Sequence, residues 1–454
     1  MRILLVAPAA GHWRQIGQRK AFNGKAFRFS MLSLLSVAAL SPKDAAVRIV
    51  DEQVEDVPDG PFDLVGITAM TAVAPRAYEL CARFRARGIP VVMGGFHATL
   101  NHEEALEHAD AVVIGPAYGA WQRICADVQR GELRRVYYGD PDGEIPVHLP
   151  RHLLAKNRYV TVSSTFATLG CRNRCRFCSI HPFHGGRRCA RDVAAVAAEV
   201  AAFRDRFFVF VDDNLTQDRA YALDLFRALA PLKKRWVLQA SMDIAGDPEL
   251  LAAMRDAGCL GVFVGLESFS EEALSQNGKA FNRPRQYREA VRAFHRHGMY
   301  VEAGVIVGFD ADDAAVFRRT LHMLEWIGVD AIQLSILTPL PGTALHDAMR
   351  ERIIDEDWGH YDYRHVVFVP QQMTAEELQA GADWLIRSFY TPWRILRRIG
   401  RWAAIPGGWK HFVYPLGLNA AYWGRTWRFG IRGYDPARRL AQTAEPHHVQ
   451  EQIS

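Results

Sequence analysis

Three cysteines share one short run, Gly170-Cys171-Arg172-Asn173-Arg174-Cys175-Arg176-Phe177-Cys178, with spacing C-x3-C-x2-C. Thiolates grouped this way on a loop are ligands for iron–sulfur clusters. Four cysteines close a [4Fe–4S] cluster, whereas three leave one iron open to bind something else. The chain has no second C-x-x-C pair to supply a fourth ligand from a distance. The alternatives are a zinc ion completed by His181, His184 or Cys189, or buried thiols that do no chemistry. Zinc sites usually show paired ligands at each end of a finger, and that pairing is absent.

The elements that must position this loop follow from the pattern around it. An extended run over 159–167 precedes it and a helix is expected from about Arg191. Strands are predicted over 207–211, 236–240, 261–264, 300–307 and 331–337, with helices over 248–257, 285–297 and 314–327 between them. Each strand runs into polar or glycine residues: Asp212-Asp213-Asn214, Ser241-Met242-Asp243, Gly265-Leu266-Glu267-Ser268, Gly308-Phe309-Asp310, and the stretch from Thr338 to Thr343. That is the signature of a partial (β/α) TIM-type barrel with its site on the carboxyl face. Asp213, Glu267 and Asp310 put carboxylates at these strand ends, and Gly308 keeps one of them open to close approach. Each acid taken singly is otherwise a solvated turn residue or a helix cap.

Ahead of the barrel, apolar runs over 2–7, 47–50, 64–68, 90–93 and 111–114 alternate with helical stretches over 74–87, 103–108 and 121–128. This predicts a doubly wound, Rossmann-like α/β sheet. Its rim would be the turns at 68–71, 94–97 and 115–118, which contain Thr68, Gly94, Gly95 and Gly115. His97 and His102 lie in βα loops, where a histidine either touches a cofactor or sits at the surface.

The cysteine loop resembles the cluster motif of the radical S-adenosylmethionine (SAM) superfamily. Both spacings match, and an aromatic residue, Phe177, precedes the last cysteine. The resemblance implies that Cys171, Cys175 and Cys178 hold a [4Fe–4S] cluster whose open iron chelates SAM and cleaves it to a 5′-deoxyadenosyl radical. It further implies that Phe177, Asp213, Glu267, Gly308 and Asp310 border SAM. The segment 337–343 is similar to the cobalamin-type subgroup.

Residues 1–130 resemble the cobalamin-binding domain found ahead of many such cores, on Val65-Gly66-Ile67-Thr68, on 74–78, on 92–100 and on Ala109 through Gly115. That likeness makes Thr68, Gly94, Gly95 and Gly115 the implied corrinoid contacts. Two departures stand out. The D-x-H-x-x-G loop that supplies an axial histidine is missing, and Pro116-Ala117-Tyr118 replaces the usual acidic turn, adding bulk where a large ring should approach.

The implied activity is cobalamin-dependent methyl transfer to an unactivated carbon of a natural-product or lipid-type substrate. A radical dehydratase, deoxygenase or cyclase with a vestigial first domain is the second reading. An iron–sulfur electron-transfer or assembly protein is the third, and Gly265-Leu266-Glu267-Ser268 stands against it. The resemblance also implies an electron donor such as flavodoxin or ferredoxin.

Bulk properties agree. A chain of 454 residues is long for a single core. The net charge of +5 gives no case for a nucleic-acid partner. Seven cysteines, an odd number, favour a reducing, cytoplasmic setting over a disulfide scaffold. No signal peptide is read at the start. Residues 131–158, with Pro141, Pro146 and Pro150, are expected to be a linker, 159–365 the barrel core, and 366–454 a helical extension with a polar tail after Leu440.

In that extension Thr374 and Glu377 form a capping-box pattern, and Pro392 is expected to end the helix they start. Residues 393–429 interleave aromatics with arginines. Such sequence can lie on a membrane surface, or form a helical lid on the barrel with its arginines outward.

Overall fold

The computed structural model describes residues 1–10, 26–29, 31–140, 143, 145–146, 148–154, 159–404, 412–428 and 434–437. The tail after Leu440, together with Trp409, Lys410 and Phe429 of the aromatic-rich stretch, lies outside the described residues.

Two parallel sheets organise the chain. The first holds β1 (Arg2–Ala7), β2 (Ala46–Asp51), β3 (Leu64–Thr68), β4 (Val91–Gly94), β5 (Ala111–Ile114) and β6 (Val136–Tyr138), in the spatial order β2-β1-β3-β4-β5-β6. Alternate residues serve opposite faces. Leu4, Val6, Val65, Ile67 and Met93 pack on one side, and Ile3, Leu5, Leu64 and Val92 on the other. Burial on both faces is why these strands read as unbroken apolar runs. The strand order reverses between β1 and β3, which opens a crevice beyond their carboxyl ends.

The stretch read as a linker does more than connect. It supplies β6, and Leu149, Leu154 and Tyr159 join the core beneath β1 and β5. A strand as short as Val136–Tyr138, with Tyr138 exposed, is too brief to show a period in the sequence.

The second sheet runs in sequence order through β7 (Ser164–Thr165), β8 (Phe207–Phe210), β9 (Arg235–Ala240), β10 (Cys259–Glu267), β11 (Tyr300–Val307) and β12 (Ala331–Ile336). It is the expected partial barrel. The extended run over 159–167, with the two residues after it, divides three ways. Tyr159–Thr161 pairs with Ala26–Phe29, β7 joins the barrel, and Thr168–Leu169 pairs antiparallel with Cys189–Ala190. That last pair brackets the cysteine loop. Behind the sheet Trp236 stacks on Phe226 at 5.1 Å and meets Phe210 edge-on at 5.5 Å. Aromatic pairs of this kind add about 0.5–1.5 kcal/mol each beyond burial.

Helix Ala375–Phe389 begins at the expected capping box of Thr374 and Glu377. Its Leu378, Ala382, Leu385 and Phe389 enter the barrel core, so the helical C-terminal region packs on the barrel from its first helix. Pro392 starts the next helix, Pro392–Arg401, at a first-turn position where the missing N–H breaks no helical bond.

Three of that helix's four arginines, Arg394, Arg398 and Arg401, point inward, opposite to the lid arrangement expected from sequence, while Arg397 is exposed. Arg394 donates to Glu325, Arg398 to the Phe389 carbonyl and Asn419, and Arg401 to the Glu325 carbonyl. Positions 394, 398 and 401 share one helical face, while Trp393 (74% exposed) and Leu396 (62%) look outward. Arg398 lies over the Phe389 ring at 3.9 Å, which offsets part of the cost of burying its charge. Asp330, just before β12, takes the Trp402 indole N–H at 2.6 Å and pairs with His295 at 2.8 Å, and its carbonyl accepts from Asn419. These helices therefore brace the floor of the barrel and leave its mouth free.

Candidate active site

The cysteine loop lies at the mouth, fastened at several points. Gly170, with φ +80°, turns the chain into it, and a Cβ there would strike the Arg187 carbonyl at 2.1 Å. The Gly170 N–H donates to Asp213 at 2.8 Å and the Arg172 N–H to Gln217 Oε1 at 3.0 Å. On the far side Arg176 N–H reaches the Asn277 carbonyl and Leu345 N–H the Arg176 carbonyl. Cys171, Cys175 and Cys178 are partly exposed and unbridged. Burial pushes the Cys175 thiol up and the Cys178 thiol up to about 12. Metal binding must therefore release these protons.

Among the described residues no three His, Cys, Asp or Glu side chains converge tightly enough for one metal ion. A single zinc needs that convergence. Thiolates that each bind a different iron do not.

Asp212 and Asp213 divide their work. Asp212 is fully buried and accepts from the Ala167 and Thr168 backbone and the Thr168 hydroxyl, closing β7 against β8. Burial outweighs those bonds and moves it up to about 7. Asp213 is committed to Gly170 and lies 3.8 Å from His184, which burial holds down to about 4.

Glu267 ends β10 with φ +62°, a left-handed conformation that a glutamate rarely adopts, where the strand register shifts. Strain of about 1–3 kcal/mol persists only where neighbours impose it. Here Asn282 donates to the Gly265 and Leu266 carbonyls, and Tyr287 to that of Leu266. The Glu267 carboxylate is ion-paired with Lys279.

Phe177 approaches Phe309 at 6.3 Å between ring centres. Gly308 and Asp310 directly follow the carboxyl end of β11. A Cβ on Gly308 would come within 2.8 Å of Leu378, and Asp310 pairs with Arg352 at 2.8 Å.

The rim of the first sheet faces this mouth. Phe183, shortly after the cysteines, packs on Phe96 at 4.4 Å. Gly342, in the loop after β12, abuts Leu100, where a Cβ would come within 2.9 Å. Thr68 closes β3 beside Gly95, whose φ of +91° and tight fit against Thr68 Oγ1 admit only glycine. Gly94 ends β4, and the Cβ direction of Gly115 meets nothing nearer than the Phe183 carbonyl at 3.9 Å. A cleft of about 380 Å³ lined by Ala9, Ala10, Ala72 and Arg76 opens at the strand-order reversal. Tyr118 does not crowd this rim. It is buried, with its hydroxyl toward Ser36, and burial raises it to about 12.

His97 is neither a surface residue nor a cap. It is 0% exposed, with Nε2 2.8 Å from the Tyr78 hydroxyl. His102 starts helix His102–His108.

Sequence reasoning missed Gln217, Lys279 and Asn282. Gln217 follows the strand-end acids by a few residues, and Lys279 and Asn282 sit after the short helix behind Glu267. Nothing local marks them before the loops are folded together.

Residues 166–324 match the Radical SAM superfamily. With the cysteine loop at its barrel mouth, this part of the chain is a radical SAM domain. Residues 34–124 match the B12 binding domain, so a B12-binding domain stands N-terminal to it.

Bacteriochlorophyllide d C-12(1)-methyltransferase of Chlorobaculum tepidum is 29% identical over 401 residues, covering 84% of this chain and 86% of that protein. Hopanoid C-2 methylase of Rhodopseudomonas palustris is 26% identical over 71% of this chain and 65% of its own length. The radical SAM methyltransferase TsrM of Kitasatospora setae, solved with cobalamin and a [4Fe–4S] cluster, has the same fold, with TM-score 0.60, 17% identity and coverage of 77% and 78%. The cobalamin-dependent SAM radical enzyme OxsB gives TM-score 0.62, 14% identity and coverage of 94% and 72%.

A [4Fe–4S] cluster, SAM and cobalamin are the cofactors of this architecture, and the residues present fit them. Three unbridged thiols on one loop suit a cluster with an open iron. The small-residue rim leaves room for a corrinoid.

Proposed function

We propose that this chain is a cobalamin-dependent radical SAM methyltransferase acting on an unactivated carbon of a natural-product or lipid-type molecule. One observation carries the reading: the carboxyl rims of the two sheets face each other, with Phe96 on Phe183 and Leu100 against Gly342. A carrier held on one rim and a radical source on the other then share one chamber. When bound, the cluster and SAM supply the radical and the corrinoid supplies the methyl group.

In this reading Cys171, Cys175 and Cys178 hold the cluster, with Asp213 and Gln217 fixing the loop they stand on. Glu267 offers its carboxylate to SAM, and Lys279 balances that charge while the site is empty. Phe177 and Phe309 shield the mouth from water. Thr68, Gly94, Gly95 and Gly115 form the corrinoid rim. His97 is not offered as its lower ligand, since it is enclosed by Tyr78 and Trp358.

A bacteriochlorophyllide and a hopanoid, the compounds in the relatives' names, are the first substrates to test. An electron donor of the flavodoxin or ferredoxin class completes the system. The outward Trp393 and Leu396 favour contact with a membrane surface, where such substrates reside.

The test is anaerobic reconstitution with iron, sulfide and hydroxocobalamin, followed by SAM labelled in its methyl group and each substrate. Corrinoid retained through desalting and label in the product support the reading. 5′-Deoxyadenosine without corrinoid or label would replace it with a dehydratase or cyclase. Cys175→Ala should lose both iron and SAM cleavage.

A further inference from the structure

The side chain of Gln217 spans the cysteine loop in a defined orientation. Its Oε1 accepts the Arg172 backbone N–H at 3.0 Å, a role only the carbonyl end of an amide can fill. That bond fixes which way the amide faces and turns its NH2 toward Cys171, with Nε2 3.4 Å from Sγ. Gln217 sits partly buried in the short turn Leu215–Gln217, three residues beyond Asn214, which is itself tied to Ser241 at 2.7 Å. The turn is therefore anchored to the barrel, and the amide is not free to swing. Among the described residues this is the one side-chain N–H within reach of a loop sulfur. Cys175 has the opposite surroundings, with its sulfur 3.9 Å from the Gly278 carbonyl oxygen.

We propose that Gln217 is a positioning residue that sets the reduction potential of the cluster by donating an N–H···S hydrogen bond to the Cys171 thiolate. Resting on the cluster assignment above, the argument concerns charge. One-electron reduction adds negative charge that spreads onto the ligand sulfurs, and a donor aimed at a sulfur stabilises the reduced form more than the oxidised one. Losing that donor makes the cluster harder to reduce. The second bond, to Arg172, holds the loop in place and has no such effect, so the two roles separate by substitution.

Gln217→Met keeps the length and removes both bonds. Gln217→Glu keeps an acceptor for the Arg172 N–H and removes the donor. Each protein is reconstituted anaerobically without SAM, iron is counted, and the cluster is titrated by potentiometry with EPR detection. Electron–nuclear double resonance after exchange into D2O reads the exchangeable protons near the reduced cluster.

The expected result is iron near the parent level, midpoints shifted to more negative potential in both variants, and loss of one exchangeable-deuteron coupling. An unmoved midpoint in Gln217→Met with iron retained would overturn the proposal. If that variant loses iron, Gln217→Glu decides, and a deuteron coupling unchanged from the parent overturns it equally. A parent protein that takes up no iron would instead sink the cluster assignment itself.

Discussion

Trp358 donates its indole N–H to Glu104 at 2.8 Å across 254 residues of sequence. Tyr78 and Asn101 donate to the same carboxylate. Burial works against the charge of Glu104, but the His97 ring 3.9 Å away and the bonds from Tyr78, Trp358 and Asn101 outweigh it and hold the group at about 2. This carboxylate ties the first domain to the segment beyond the barrel.

Because the folded value lies below the ordinary 4.5, Glu104 contributes stability that is fully present above about pH 4.5 and is lost as pH falls toward 2. Denaturant unfolding of the apoprotein at pH 7 and pH 3 should show a drop that Glu104→Gln diminishes. An equal drop in both proteins would show that Glu104 does not carry it.

Trp358→Phe keeps the ring and deletes the donor. A hydrogen bond to a charged group contributes about 1.5–3 kcal/mol, and a loss of that size in thermal or urea unfolding is expected. Iron content should stay near the parent level, since the contact lies away from the cysteine loop.

Glu267→Gln keeps the backbone arrangement but removes the charge. SAM binding, measured by calorimetry on reconstituted protein, should weaken by roughly 10-fold or more, the equivalent of one charge-assisted contact. Iron should remain. Lys279→Met leaves Glu267 as a partly buried carboxylate without its cation. Its apoprotein should unfold at clearly lower denaturant than the parent's.

Trp402→Ala removes both a buried ring and the N–H held by Asp330. Losses of about 3–5 kcal/mol are usual for such truncations. At low temperature the variant should still bind iron and cleave SAM, because the bracing helices lie on the floor of the barrel. Loss of SAM cleavage in a folded, iron-replete variant would contradict that separation.

Much of this was legible in the residues. The cysteine spacing, the apolar runs and the glycines and acids at strand ends located the loop, the sheets and their rims, and Thr374 with Glu377 marked a helix start. These signals are local, and local physics writes them.

What could not be read depends on which face a residue turns. Arg394, Arg398 and Arg401 look like a solvated stripe until Glu325, Phe389 and Asn419 are seen to meet them. Tyr118 looks obstructive at a rim until it folds inward beside Ser36. Gly308 is read as glycine by pattern, and what else requires it, Leu378 in the space a side chain would need, shows only in the fold. Gln217 and Lys279 matter only through partners tens of residues or a whole loop away.

The anchors of the cysteine loop also impose an order of assembly. Gly170 waits for Asp213, 43 residues later, Arg172 for Gln217, 45 later, and Cys175 for Gly278, 103 later. As the chain leaves the ribosome, the cysteines emerge well before anything that holds them in place. Iron offered then would meet a flexible thiol segment, prone to bind the wrong metal or oxidise. On the proposed cluster assignment, iron that arrives after the barrel has formed would meet a loop already held by Asp213, Gln217 and Gly278.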